Sequence, residues 1–76
     1  MKDNIEQIIN GKKYIAERVV VGKTKLRQTI IFMGYKEEDS KTYTKNQTDE
    51  MKETAKLILW QLVINGRIGQ SPMERI

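Results

Sequence analysis

Apolar residues recur with two periods along this 76-residue chain, and the change of period divides it. From Thr48 to Asn65, the run TDEMKETAKLILWQLVIN places Met51, Ala55, Ile58, Leu59, Leu62 and Val63 on one stripe at ~100° per residue, the mark of an amphipathic helix. Thr48 suits the N-cap, Asp49 and Glu50 put negative charge at the positive end of the helix dipole, and Gly66 offers a left-handed residue to end it. Leu57, Trp60 and Ile64 repeat at helical spacing on nearly the opposite side. A helix lying on one sheet needs one apolar face. This second set must therefore meet an N-terminal helix, the C-terminal tail or another chain, and its three residues are candidates for an oligomer or partner interface.

Upstream the period shortens. Residues 3 to 10 still read as a short helix, with Asp3 or Asn4 as cap, Ile5, Ile8 and Ile9 on one face and Asn10-Gly11 as its end. Tyr14 to Val21 is rich in β-branched residues and predicts a strand. Gly22-Lys23-Thr24-Lys25 predicts a turn, and Leu26 to Tyr35 a second strand, antiparallel to the first because so short a link cannot carry a parallel crossover. Lys36 to Ser40 is a polar turn, and Lys41 to Lys45 a short edge strand guarded by lysines. Arg67 to Ile76 reads as a flexible tail whose Pro72 opposes a further long helix. The expectation is one α+β domain over residues 1–76, with a short N-terminal helix, a three-stranded antiparallel meander and a long C-terminal helix packed on the sheet (α-β-β-β-α). In the first strand Ile15, Val19 and Val21 form the inward set, leaving Tyr14, Ala16, Arg18 and Val20 outward. In the second, Leu26, Ile30 and Phe32 point inward, with Arg27, Thr29, Ile31, Met33 and Tyr35 outward.

Composition narrows the chemistry. The chain has no cysteine and no histidine, so thiolate or imidazole metal sites and histidine general-base catalysis are excluded. No nucleophile–base pair is visible, no cofactor is implied, and the expectation is a protein that is not an enzyme. Gly22-Lys23-Thr24 resembles the end of a phosphate-binding loop, but Glu17 occupies the position five residues earlier where that loop needs glycine. The acidic run Glu37, Glu38, Asp39 lacks the converging ligands a hard cation requires. No apolar run reaches the ~20 residues of a membrane span, and MKDNIEQIIN is too polar for a secretory signal, so the expected setting is the cytoplasm.

Charge points to a partner. The net charge is +4, but residues 12 to 27 hold six basic residues against Glu17 alone, while the rest of the chain sums to −1. Lys12, Lys13, Tyr14, Arg18, Lys23, Lys25 and Arg27 are therefore the candidate nucleic-acid contacts, with Tyr14, Tyr35 and Tyr43 sharing the outward face for stacking beside Lys41 and Lys45. The α-β-β-β-α order is similar to the double-stranded RNA-binding domain. Lys52 and Lys56 stand near the start of the last helix, as a lysine cluster does there, but Asp49, Glu50 and Glu53 intervene and the Gly-Pro-x-His loop is absent. Gly22-Lys23 through Gln28 and Gly34-Tyr35-Lys36 likewise resemble the strand pattern of arm-site DNA-binding modules of phage-type integrases. The leading expectation is a small basic nucleic-acid-binding accessory or regulatory protein acting on a duplex. The alternative is a protein–protein module, such as a phage- or mobile-element-encoded inhibitor or adaptor of an acidic host protein, and a homodimer fits either.

Overall fold

The computed structural model describes residues 1–73, with side chains described for residues 1–65. Four strands form one antiparallel meander, β1 (Lys2–Ile9), β2 (Lys12–Val21), β3 (Arg27–Phe32) and β4 (Tyr35–Glu38), in the order β1-β2-β3-β4. A 3₁₀ turn (Lys45–Gln47) then leads into α1 (Thr48–Met73), which packs across one face. The order is β-β-β-β-α, so the expected N-terminal helix, three-stranded sheet and α-β-β-β-α order are corrected, and with them the likeness in topology to the double-stranded RNA-binding domain.

Residues 3 to 10 are a strand because of Asn10-Gly11. Both residues have positive φ, 52° and 79°, and they join Ile9 to its partner Lys12. A two-residue turn with φ positive at both positions matches the right-handed twist of a hairpin, and Asn-Gly is its favoured sequence. The same dipeptide reads equally well as a helix end, and Ile5 and Ile9 satisfy period 2 as well as period 4. Pairing with β2 decides, since eight residues in an isolated helix are marginal in water. Met33-Gly34 repeats the device with φ values of 51° and 85°, so the expected Leu26–Tyr35 strand breaks there and Tyr35–Glu38 returns as β4. The strand expected over Lys41–Lys45 is reduced to a single bridge, Leu26 to Tyr43. Between β2 and β3 the chain doubles back so closely that a Cβ on Gly22 would lie 2.0 Å from the Lys25 carbonyl oxygen.

The inward face follows from the first hairpin. Register sets Ile5 opposite Ala16 and Asp3 opposite Arg18, and directly opposed residues share a face. With Ile5 and Ile9 turned to the helix, Tyr14, Ala16, Arg18 and Val20 must turn there too. The expected facing of the Tyr14–Val21 strand is therefore inverted: Ile15, Val19 and Val21 lie on the outer face. The facing of β3 agrees with expectation, with Ile30 buried and Phe32 packed against the core. Ile5, Ile9, Ala16 and Ile30 meet Ala55, Ile58, Leu59 and Val63 of α1, and Tyr14, Phe32, Leu62 and Ile64 pack around them. A smaller cluster of Val20, Tyr43 and Met51, with Leu26 against it, closes the other end.

The helix stripe is as expected, but both helix ends move. Thr48 is already helical (φ −64°, ψ −35°), and Thr44 takes the extended cap position, its N–H donating to Gln47 Oε1 at 2.9 Å. At the far end α1 continues through Gly66 to Met73, since an interior glycine costs only ~1 kcal/mol relative to alanine and does not force a stop. The tail expected from Arg67 is thus helical to Met73, and its last three residues lie outside the described residues. Leu59→Ala, at a fully buried position, is expected to lower unfolding free energy by about 2–5 kcal/mol, while Leu57→Ala, 61% exposed, changes it by less than about 0.5 kcal/mol, as read by urea unfolding.

Candidate functional site

A chain of polar side chains crosses the interior between sheet and helix. Arg18 is 3% exposed and its guanidinium forks onto Asp3, with Nε to Oδ1 at 2.8 Å and Nη2 to Oδ2 at 2.7 Å. Its Nη1 donates to Gln28 Oε1 at 3.3 Å. The Gln28 amide donates in turn to Asp39 Oδ2 and to the Met51 carbonyl of α1, both at 2.9 Å. The Tyr43 hydroxyl donates to the same Asp39 oxygen at 2.5 Å, and the Lys41 N–H to Oδ1 at 3.0 Å. Among the described residues no buried side-chain nitrogen or oxygen lacks a partner. A polar network this complete links β1, β2, β3, the segment after β4 and α1, and holds their relative positions.

The network shifts three ionisations. The hydrogen bond from Arg18 lowers the Asp3 carboxyl below its usual 3.8, against some burial, with the Arg18 charge and then Lys52 adding to the effect. Burial opposes the charge on Asp39, but the hydrogen bonds from Tyr43, Gln28 and the Lys41 N–H outweigh it and hold that carboxyl below 3.8 as well. Burial, then the hydrogen bond to Asp39, raises the Tyr43 hydroxyl above 10.0.

These placements rearrange the expected nucleic-acid contacts. Arg18 is turned inside and held by Asp3, so it is not on the surface with the others; the cause is the inverted facing of β2. Tyr14 also faces inward and meets Phe32 edge-on, ring centroids 6.0 Å apart. Tyr43 is buried, and Tyr35 lies opposite Phe32, so the expected outward row of tyrosines is not formed. Lys12 and Lys13 sit at one end of β2 and Lys23 and Lys25 beyond the other, separated by a ten-residue strand that spans about 30 Å at a rise of ~3.3 Å per residue. On the outer face Lys13 pairs with Glu6 at 3.6 Å, Lys2 with Glu17 at 3.5 Å and Arg27 with Glu38 at 3.9 Å. Each pair is diagonal across neighbouring strands and exposed, so it contributes little stability, yet together they answer most of the positive charge there. Lys12, Lys23 and Lys25 are exposed.

What the outer face presents is apolar. Ile8, Ile15 and Val21 are 66%, 51% and 58% exposed, and Val19 and Ile31 are half-buried beside them. Ile31 sits opposite Glu17, diagonal to both Ile15 and Val19, and Glu6 opposite Ile15 brings Ile8 diagonal to Ile15. The result is an oblique band from Ile8 through Ile15 and Ile31 to Val19, with Glu17 standing between Ile15 and Val19 on β2 and ion pairs around it. Of the expected helix interface, Leu57 and Trp60 are exposed on α1, whereas Ile64 packs against the core cluster. Glu37, Glu38 and Asp39 alternate in facing and do not converge, and among the described residues no cluster of acids able to hold a metal ion is found. No described helix is long and apolar enough to cross a membrane. Comparison with protein-family models, curated proteins and solved structures finds no match.

The polar chain was signalled only by phase: Gln28 lies two residues from both Leu26 and Ile30, within the inward set. Its stability contribution follows pH at both ends. The lowered Asp3 and Asp39 values contribute stability above pH ~4 that is lost as pH falls through the folded values. The raised Tyr43 value contributes stability below pH ~10 that is lost as pH rises through its folded value. Denaturant midpoints across this range are expected to fall on both sides, and Tyr43→Phe, which strips a donor from Asp39, costs about 1–3 kcal/mol at neutral pH.

Proposed function

We propose that this chain is a small non-enzymatic protein-interaction module of the cytoplasm that docks a partner protein on the outer face of its sheet. The observation that carries the reading is the band Ile8–Ile15–Ile31–Val19, left uncovered by the helix, with the Lys13–Glu6 pair at its edge and the Lys2–Glu17 pair beside Ile31 and Val19. Exposed apolar side chains with charged groups among and around them suit a protein interface. An inhibitor or adaptor of a host protein, such as a phage or mobile element encodes, uses a surface of this kind.

A nucleic-acid role is the second reading. It is favoured by Lys23 and Lys25, exposed in the β2–β3 link, beside which the Leu26–Tyr43 bridge brings the segment carrying Lys45. It draws no support from Arg18 or from stacking tyrosines, which are inside.

Ile15→Lys separates the two, because it removes an apolar anchor and adds a cation at an exposed position. In a pull-down from host lysate, wild type is expected to retain one protein after nuclease treatment. Ile15→Lys retains at least about tenfold less of it, equivalent to ~1.4 kcal/mol of binding, with an unchanged thermal midpoint. Recovery of nucleic acid that is undiminished by Ile15→Lys, and that weakens with salt at a slope of roughly −0.9 per phosphate contacted, would overturn the docking reading in favour of the second.

A further inference from the structure

β1 is an edge of the sheet, and its hydrogen-bonding phase can be worked out from its first residue. Met1 and Val20 exchange both bonds, the terminal ammonium donating to the Val20 carbonyl at 2.8 Å and the Val20 N–H to the Met1 carbonyl at 2.7 Å. In an antiparallel ladder such pairs alternate, so Asp3, Ile5, Gln7 and Ile9 bond to β2, while Lys2, Asn4, Glu6 and Ile8 turn their N–H and C=O groups to the open edge. One of these is met locally: the Ile8 N–H donates to the side chain of Gln7, at 3.2 Å. Among the described residues no strand pairs with this eight-residue edge, and proteins ordinarily shorten, bulge or cover an edge of that length.

A groove of about 460 Å³ runs along this edge, floored by Asp3 to Ile8 and walled by Lys52 and Lys56, one turn apart on α1. The acids near the groove are already engaged, Asp3 with Arg18 and Glu6 with Lys13. The Lys52 ammonium also acts on Asp3, and Lys56 makes an exposed contact to Glu53 at 3.6 Å. Trp60 follows Lys56 by one further turn and is 45% exposed.

We propose that β1 accepts an extended acidic peptide segment of a partner protein as a fifth strand. The segment's backbone pairs with Lys2, Asn4, Glu6 and Ile8, as in strand addition generally. Its side chains alternate: those on the helix side are carboxylates meeting Lys52 and Lys56, and those on the outer side are β-branched residues continuing the band at Ile8. A second copy of this chain is a poorer occupant. The two-fold axis that pairs β1 with β1 antiparallel stands perpendicular to the sheet and leaves both helices on the same side. Lys52 and Lys56 of the two copies would then face each other across the seam, four cations together. The groove meets the band at Ile8 but is built on the β1 edge with Lys52 and Lys56, whereas the band is centred on Ile15, Ile31 and Val19, so either can fail as a docking site without the other.

The test uses the whole chain and a blocked octapeptide alternating valine and aspartate, titrated by Trp60 fluorescence and by amide hydrogen exchange. Saturable binding is expected, with protection rising at the Asn4 and Glu6 amides. Affinity falls at least about tenfold for the Lys52→Glu, Lys56→Glu double variant, and a valine–lysine peptide does not bind. A valine–aspartate peptide N-methylated on its pairing edge, tested on wild type, also fails to bind. Absence of saturable binding at millimolar peptide overturns the proposal, as does equal binding of acidic and basic peptides or full binding by the N-methylated one. A dimer in light scattering that protects the same amides without peptide overturns it in favour of the second copy.

Discussion

Arg18 sits where a strand of this composition is least expected to put a charge, inside the sheet–helix layer, and the Asp3 carboxylate is what makes that position tenable. A guanidinium removed from water is costly unless its charge is answered and its donors are met. Asp3 supplies a two-bonded fork, and Gln28 takes a third donor. The Gln28 amide is held in turn by Asp39 and the Met51 carbonyl, and Tyr43, Gln28 and Lys41 donate to Asp39, favouring its charged form against burial. The chain of dependence runs from the first strand to the first turn of the helix. Apolar packing at the Leu59 end drives the helix onto the sheet; the polar chain fixes which strand meets it, and in which phase.

That phase determines the surface. Once Arg18 and Tyr14 face inward, Ile15, Val19 and Val21 have no choice but the outside, because strand side chains alternate. The protein therefore hides an arginine and shows a band of isoleucine and valine. Its remaining cations are partly matched by Glu6, Glu17 and Glu38 and partly scattered to the two ends of β2. A basic sequence has thus produced a surface whose strongest feature is apolar.

The long helix was readable because its six-residue stripe fits only one period, and every member of that stripe is buried or packed on the core. The second hairpin strand was read with the right facing as far as Phe32, but not at Tyr35, which returns in β4 opposite Phe32. The first strand was not, since Ile5, Ile8 and Ile9 fit a helix face as well as a strand, and Asn10-Gly11 ends either. That single ambiguity propagated. With no β1 to set register, the facing of β2 rested on counting apolar residues, and Ile15, Val19 and Val21 outvoted Ala16 and Val20. The partners that reverse the vote, Asp3 and Gln28, are distant in sequence, so no local pattern marks Arg18 as buried. The same holds for Met33-Gly34, where a methionine takes a left-handed conformation that composition does not signal.

The central claim is that Arg18 and Asp3 are coupled inside the fold, and a double-mutant cycle measures that coupling directly. Arg18→Met keeps most of the apolar stem and Asp3→Asn keeps the shape of the carboxyl. Arg18→Met alone is expected to lower stability by about 2–3 kcal/mol, with a coupling of at least about 1 kcal/mol to Asp3→Asn. A change within about 0.5 kcal/mol for Arg18→Met, with additive behaviour in the pair, is what a solvent-facing arginine gives and would contradict the account.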